Sequence, residues 1–99
     1  MEHYVYLISD HDRKHIHAGY THDIKKCVEY YKKLNSMSAD IDETRELNRL
    51  VYLETGHKKE SATNRTTELQ ILPLEQKINT TLGINPDWLD LSTVSNFNF

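Results

Sequence analysis

The sequence predicts an α+β fold: a small, mainly antiparallel three-stranded sheet flanked by helices. Three observations lead to it. Tyr4–Ser9 and His15–Thr21 are apolar-rich runs of strand length separated by the polar Asp10-His-Asp-Arg-Lys14, the pattern of a hairpin. Ile24, Cys27, Val28, Tyr31 and Leu34 then follow at three-four spacing, the pattern of an amphipathic helix. Arg49–Thr55 is a third strand-like run with polar chain on both sides.

Each element has its own warrant. In the first run Tyr4, Tyr6 and Ile8 alternate with Val5 and Leu7, so both faces of the sheet receive apolar or aromatic groups. Gly19 in the second run leaves room for a neighbouring group to come close. Asp23 predicts an N-cap, because its carboxylate can accept from exposed helical N–H groups, and the first helix is expected from Asp23 to about Asn35. Lys25, Lys26, Glu29, Lys32 and Lys33 fall on its other faces, a solvated surface in the plain reading and a phosphate-tracking patch in the sharper one. Ser36–Leu47 is acidic and turn-like, a loop, a lid or a short helix capped by Ser38 or Asp40.

In the third run, alternation puts Leu50, Tyr52 and Glu54 on one face and Val51 and Leu53 on the other, with Gly56 ending the strand. Lys58–Gln70 predicts a polar second helix anchored by Ala62, Leu69 and Ile71; its threonines Thr63, Thr66 and Thr67 are mediocre helix formers. Pro73 suits the start of a third helix reaching about Leu82, and Gly83 suits its end. Asn85–Leu91 is expected to be an ordered tail with Trp88 over the core edge. Residues 1–91 thus form a single domain, and residues 92–99 are expected to be a flexible C-terminal tail.

The totals bound the function. Ninety-nine residues make one domain with a modest core, and the 37% of hydrophobic residues is concentrated in periodic segments, as in a folded protein. Twelve basic against 15 acidic residues give a net charge of −3, the wrong sign for a protein that lives on phosphate neutralisation. Asp40, Asp42, Glu43 and Glu46 outnumber Arg45 in one short stretch and would repel a phosphate backbone. Cys27 is the only cysteine, which excludes an internal disulfide and points to a reducing compartment. With no secretory h-region and no run of membrane-spanning length, the expectation is a cytoplasmic protein without membrane contact.

Tyr4-Val5-Tyr6, a ten-residue gap, His17-Ala18-Gly19-Tyr20-Thr21 and Asp23-Ile24-Lys25-Lys26 together resemble the opening of a GIY-YIG nuclease domain. The likeness is to the small stand-alone bacterial proteins of that superfamily. It continues through Arg49-Leu-Val-Tyr-Leu-Glu54 and Asn85-Pro-Asp-Trp-Leu-Asp-Leu91, covering roughly residues 3–91. The resemblance implies phosphodiester hydrolysis with one divalent ion, Mg or Mn, held by a glutamate. A tyrosine would help activate water and an arginine would meet charge on the phosphate, since a metal lowers the pKa of bound water and a fixed cation stabilises developing charge.

On this chain the resemblance places the first motif tyrosine at Tyr6 and the motif glycine at Gly19, both retained. The second tyrosine falls on His17. The arginine of the first helix falls on Cys27, a thiol with no guanidinium fork. A basic or histidine position one turn later falls on Tyr31. The metal-binding glutamate of the second helix falls on Thr66, a poor sole ligand for a hard divalent ion, while Arg65 beside it is retained and is expected to line the cleft. Glu68 lies about 200° further round the helix and should point away.

Two other constellations offer chemistry. His15 and His17 stand at i, i+2 and would bind a transition metal if Asp12, Asp23 or His3 converged as a third ligand; the plainer reading is ordinary hairpin histidines. Cys27 and His17 could form a nucleophilic pair, against a small buried cysteine on the helix's core face. Tyr20, Tyr30, Tyr31 and Tyr52 are packing aromatics or, where exposed, anchors for a protein contact in preference to bases.

The expected function is a GIY-YIG-like domain that has lost endonuclease activity and serves as a binding module, with no cofactor. A protein partner or a second copy of the chain is favoured over nucleic acid. The alternatives are a divergent endonuclease working through Tyr6, His17 and a carboxylate with Mg or Mn, and a nucleic-acid-binding module that does not cut.

Overall fold

A computed structural model describes residues 2–37, 47 and 49–93, with the backbone alone at 34–37. The order is β1 (His3–Ser9), β2 (Ile16–Thr21), α1 (Ile24–Met37), β3 (Arg49–His57), α2 (Lys59–Gln70), α3 (Leu74–Leu82) and a 3-10 turn at Leu91–Thr93. The sheet runs β2-β1-β3, with both pairings antiparallel. The expected α+β class and three-stranded antiparallel sheet are what the structure has. The acidic stretch expected to be a lid or a loop, residues 38–46, lies outside the described residues, as do residues 94–99. Among the described residues no helix is long and apolar enough to cross a membrane.

The β1–β2 turn is closed by Asp10, which is buried and accepts from the Lys14 backbone N–H at 2.9 Å and from His15 Nδ1 at 3.0 Å. Burial alone would raise its pKa, but these hydrogen bonds hold the carboxyl below the usual range. Asp23 caps α1 as expected, its Oδ1 accepting from Lys26 N at 3.1 Å.

The central strand β1 has a side chain for each face. Val5 and Leu7 join Ala18, Val51, Tyr52, Ala62, Leu69 and Trp88 in the core under α2, with Leu72, Ile78 and Leu82 packed against it. Tyr6 and Ile8 join Ile24, Val28 and Leu50 under α1.

The third strand departs from simple alternation. Leu7 pairs with Tyr52 but Ile8 with Leu50, so Val51 is an extra residue, a bulge. One extra residue reverses the facing of the residues beyond it. Val51 and Tyr52 therefore both enter the α2-side core, while Leu50 and Leu53 belong to the α1 side. Gly56 does not end the strand, which continues to His57. Gly56 sits at a second irregularity with φ +79°, a conformation glycine adopts without strain, and donates its N–H to Glu2 Oε1 at 2.8 Å.

The second helix turns Ala62, Thr66 and Leu69 inward. Its threonines are accommodated by bonding back along the helix, Thr63 Oγ1 to Lys59 O at 2.8 Å and Thr67 Oγ1 to Thr63 O at 3.2 Å. Ile71, expected as an anchor, is 76% exposed, because the chain leaves the helix there to reach Pro73 and Leu72 takes the inward position. Gly83 is the C-cap of α3, as its place in the sequence suggested. The folded structure continues past residue 91: Lys32 Nζ donates to Asp90 Oδ2 and to Ser92 Oγ, both at 3.0 Å.

Candidate functional site

The site grows from the pairing of Tyr6 on β1 with Gly19 on β2. The Tyr6 ring lies across Gly19, where an added Cβ would overlap its hydroxyl and stand 2.5 Å from Cζ. The missing side chain therefore lets the phenol lie flat over the neighbouring strand and reach α1. There its hydroxyl meets Tyr31 Oη at 3.3 Å, with the Cys27 thiol close enough to influence it. Cys27 and Tyr31 are one helical turn apart, so both face the same spot. The rings of Tyr6 and Tyr31 meet edge to face, centroids 6.2 Å apart at 75°.

His17 stands at the rim, exposed, its ring 6.3 Å from Tyr31. Tyr30, 58% exposed, packs on Tyr31 from the other side at 6.0 Å. Tyr6, Gly19, Cys27, Tyr31 and His17 are thus brought together, a neutral cluster with an aromatic and imidazole rim.

Burial governs the electrostatics of this cluster. It pushes the Tyr6 phenol far above its ordinary value, and the neighbouring Cys27 and Tyr31 push it further. Burial also raises the Cys27 thiol, partly offset by Tyr6 and reinforced by the charge of Asp23. Tyr31 is raised for the same first reason. All three groups are protonated and neutral near pH 7. They can donate and accept hydrogen bonds, but they supply neither a base nor a cation.

The other two expected positions lie elsewhere. Thr66 is on the inward face of α2, between Ala62 and Leu69, on the sheet face that carries Val5 and Leu7 and not Tyr6. It is 7% exposed, and its hydroxyl has no hydrogen-bond partner among the described residues. Arg65 does not line the Tyr6 cleft. Its Nε donates to Glu54 Oε2 at 2.8 Å and its Nη1 to Glu68 Oε2 at 3.0 Å. Glu68 is exposed and points away from the core, as helix geometry required.

Sequence reasoning missed the hub of that second network. Glu54 accepts from the Tyr52 hydroxyl, from Arg65 and from His57 Nε2 at 2.8 Å, while His57 Nδ1 faces Ser61 Oγ at 3.1 Å. Burial would raise the Glu54 carboxyl, but its three donors hold it below the usual range, and Glu54 in turn raises Arg65. The signal was a lone carboxylate closing the apolar run Leu50–Leu53. The network clamps β3 to α2 through Arg65 and Glu54.

These donors fit a hard divalent ion poorly. The phenol is held neutral, the thiol is soft, and the threonine hydroxyl is uncharged. Among the described residues no group of three His, Cys, Asp or Glu side chains is placed to hold a metal. His15 is engaged with Asp10.

No family model and no curated protein sequence matches the chain. Among solved structures it is similar to the solution structure of the UPF0213 protein BH0048 from Bacillus halodurans, at 24% identity and a TM-score of 0.56. The match covers 96% of this chain and 98% of that one. The likeness is one of fold, over essentially the whole chain.

Proposed function

We propose that this chain, on its GIY-YIG-like fold, is a binding module without nuclease activity that engages a protein partner or a second copy of itself at the surface formed by His17, Tyr30 and Tyr31. The observation that carries the reading is the neutrality of the cluster beneath that surface. Where the resemblance implies a guanidinium facing a phosphate, the Cys27 thiol lies near the Tyr6 phenol, and burial keeps both protonated. A hydrolytic site needs charge set against charge that develops in the transition state. A neutral cluster edged by aromatic rings suits a desolvated protein contact, where tyrosines act as anchors. The chain's net charge of −3 agrees with a protein partner over a polyanion.

The test is a cleavage assay at high enzyme concentration, on plasmid and branched DNA with Mg²⁺ or Mn²⁺. The expected result is no cutting above background, together with self-association or partner binding that weakens in a Tyr30→Ala, Tyr31→Ala variant. Metal-dependent cleavage abolished by His17→Ala would overturn the proposal in favour of a divergent endonuclease. A salt-dependent gel shift without cutting would overturn it in favour of nucleic-acid binding. Light scattering over a range of concentrations decides between a second copy and a different partner.

A further inference from the structure

At the end of β3 three side chains stand in a line. Glu54 Oε1 and His57 Nε2 are 2.8 Å apart, and His57 Nδ1 and Ser61 Oγ are 3.1 Å apart. Simple alternation would set Glu54 and His57, three residues apart, on opposite faces of the strand. The irregularity at Gly56, with φ +79°, adds a residue and turns His57 back to the side of Glu54. Ser61 follows four residues later in the first turn of α2, where helical spacing returns it to His57. The Glu54 and His57 side chains are each 20% exposed, and Ser61 is open to solvent.

The line has a direction. Burial opposes it, but hydrogen bonds from Tyr52, Arg65 and His57 hold the Glu54 carboxyl below the usual range, so it is ionised near pH 7. A carboxylate only accepts. In the neutral imidazole the proton therefore sits on Nε2, and the Nδ1 lone pair faces the Ser61 hydroxyl. Ser61 Oγ also accepts from the Lys58 N–H and stands 3.1 Å from Lys58 O, a carbonyl that already takes the Ala62 N–H at 2.9 Å. Of the two acceptors in reach of the hydroxyl proton, only the imidazole can carry it away. A carboxylate that orients a base, beside a hydroxyl that faces that base, is the arrangement that activates a nucleophile.

We propose that Ser61 is a nucleophile for acyl transfer, with His57 as its base and Glu54 as the positioning residue, acting on esters with a good leaving group that reach it from solvent. This site stands apart from the aromatic surface and does not rest on it. Ser61 Oγ forms a bond to the carbonyl carbon as His57 Nδ1 takes the hydroxyl proton. The carbon–oxygen bond to the leaving group then breaks, and the imidazolium returns that proton to the departing oxygen. Water, deprotonated by the same nitrogen, releases the acid and restores the serine. The helix serves the oxyanion. Ala62 N to Lys58 O is its first intrahelical bond, which leaves the Lys59 and Glu60 amides in the same turn as Ser61, at the positive end of the helix dipole.

The test treats the full chain with a fluorophosphonate, in which the serine oxygen displaces fluoride from phosphorus, and maps the adduct by peptide mass spectrometry. Release of p-nitrophenolate from p-nitrophenyl acetate measures turnover. The expected adduct is on Ser61, and it does not form in urea. Ser61→Gln, whose side chain can still accept from the Lys58 N–H and keep the start of α2, abolishes it. His57→Gln slows labelling about 100-fold or more. In both variants ester hydrolysis falls to the rate of the unfolded chain. Imidazole nitrogen NMR shows Nε2 protonated in the native chain and both tautomers in Glu54→Gln, a change that a purely structural clamp does not require. No adduct at Ser61, an adduct formed equally fast in His57→Gln, hydrolysis unchanged in Ser61→Gln, or a neutral ring protonated on Nδ1 in the native chain would each overturn the proposal.

Discussion

At the scale of single residues the molecule turns on what Tyr6 can touch. Its ring needs Gly19 beneath it, and its hydroxyl needs α1 to present Tyr31 and Cys27 one turn apart. In Gly19→Ala the new methyl overlaps the phenol, so either the ring leaves its rotamer or the β1–β2 pair separates. Overpacking of this kind costs about 1–3 kcal/mol. The expected outcome is a lower unfolding midpoint in urea and a changed near-UV tyrosine signal, because the Tyr6–Tyr31 contact goes with the ring. Tyr6, Gly19 and Tyr31 were legible in the sequence, since strand alternation and helical spacing fix which way each points. The hydrogen bond between the Tyr6 and Tyr31 hydroxyls was not, because it depends on how closely α1 approaches the sheet, and no local pattern encodes that distance.

Elements are held to one another by the Glu54 network more than by their own propensities. The second helix is rich in threonine and polar all round except for Ala62, Thr66 and Leu69. Its attachment to β3 runs through Arg65 and Glu54. Glu54, Asp10 and Asp90 all have carboxyls held below their usual range by hydrogen bonds. A group with a depressed folded-state pKa contributes its stability above the unfolded value, about 4, and loses it as the pH falls through the lower folded value.

Thermal melts should therefore be nearly flat from about pH 7 to pH 5 and should fall steeply below about pH 4. Glu54→Gln should lower stability at pH 7 by about 1–2 kcal/mol, a figure reduced for the partial exposure of the pair, and should make the acid slope shallower. The elements themselves were largely readable. Hairpin composition, three-four spacing and the Pro73 and Gly83 punctuation all act locally, and each marked its element. The facing of β3 was not readable, because the bulge at Val51 is imposed by the partner strand, and a single extra residue leaves no mark in the composition.

For the whole molecule, the segment after α3 closes the fold against β3. The outer edge of that strand is covered by the segment after α3. Asn85 Nδ2 donates to Val51 O at 3.0 Å, and Asp90 Oδ1 accepts from Leu50 N at 3.3 Å. Trp88 closes the core between them, 3% exposed, with the Arg13 guanidinium 4.6 Å from its ring and its carbonyl held by Arg49 Nη1 at 3.1 Å. Both Arg13 and Trp88 sit at positive φ, 62° and 54°, a strained backbone for such residues that persists only where surroundings enforce it. A chain ending at residue 84 loses this cover, and removing a buried tryptophan alone costs about 3–5 kcal/mol. Circular dichroism should show that chain unfolded at 25 °C, and light scattering should show it associating through its exposed apolar runs.

The same arrangement sets a clock on biosynthesis. A ribosome threads out both hairpin strands, three helices and the third strand before it delivers the asparagine, tryptophan and aspartate that seal them. Until then the growing polypeptide holds an unsatisfied strand border, the kind of surface chaperones attend to. The border of β3 is sealed only once residues 85–90 are available to it.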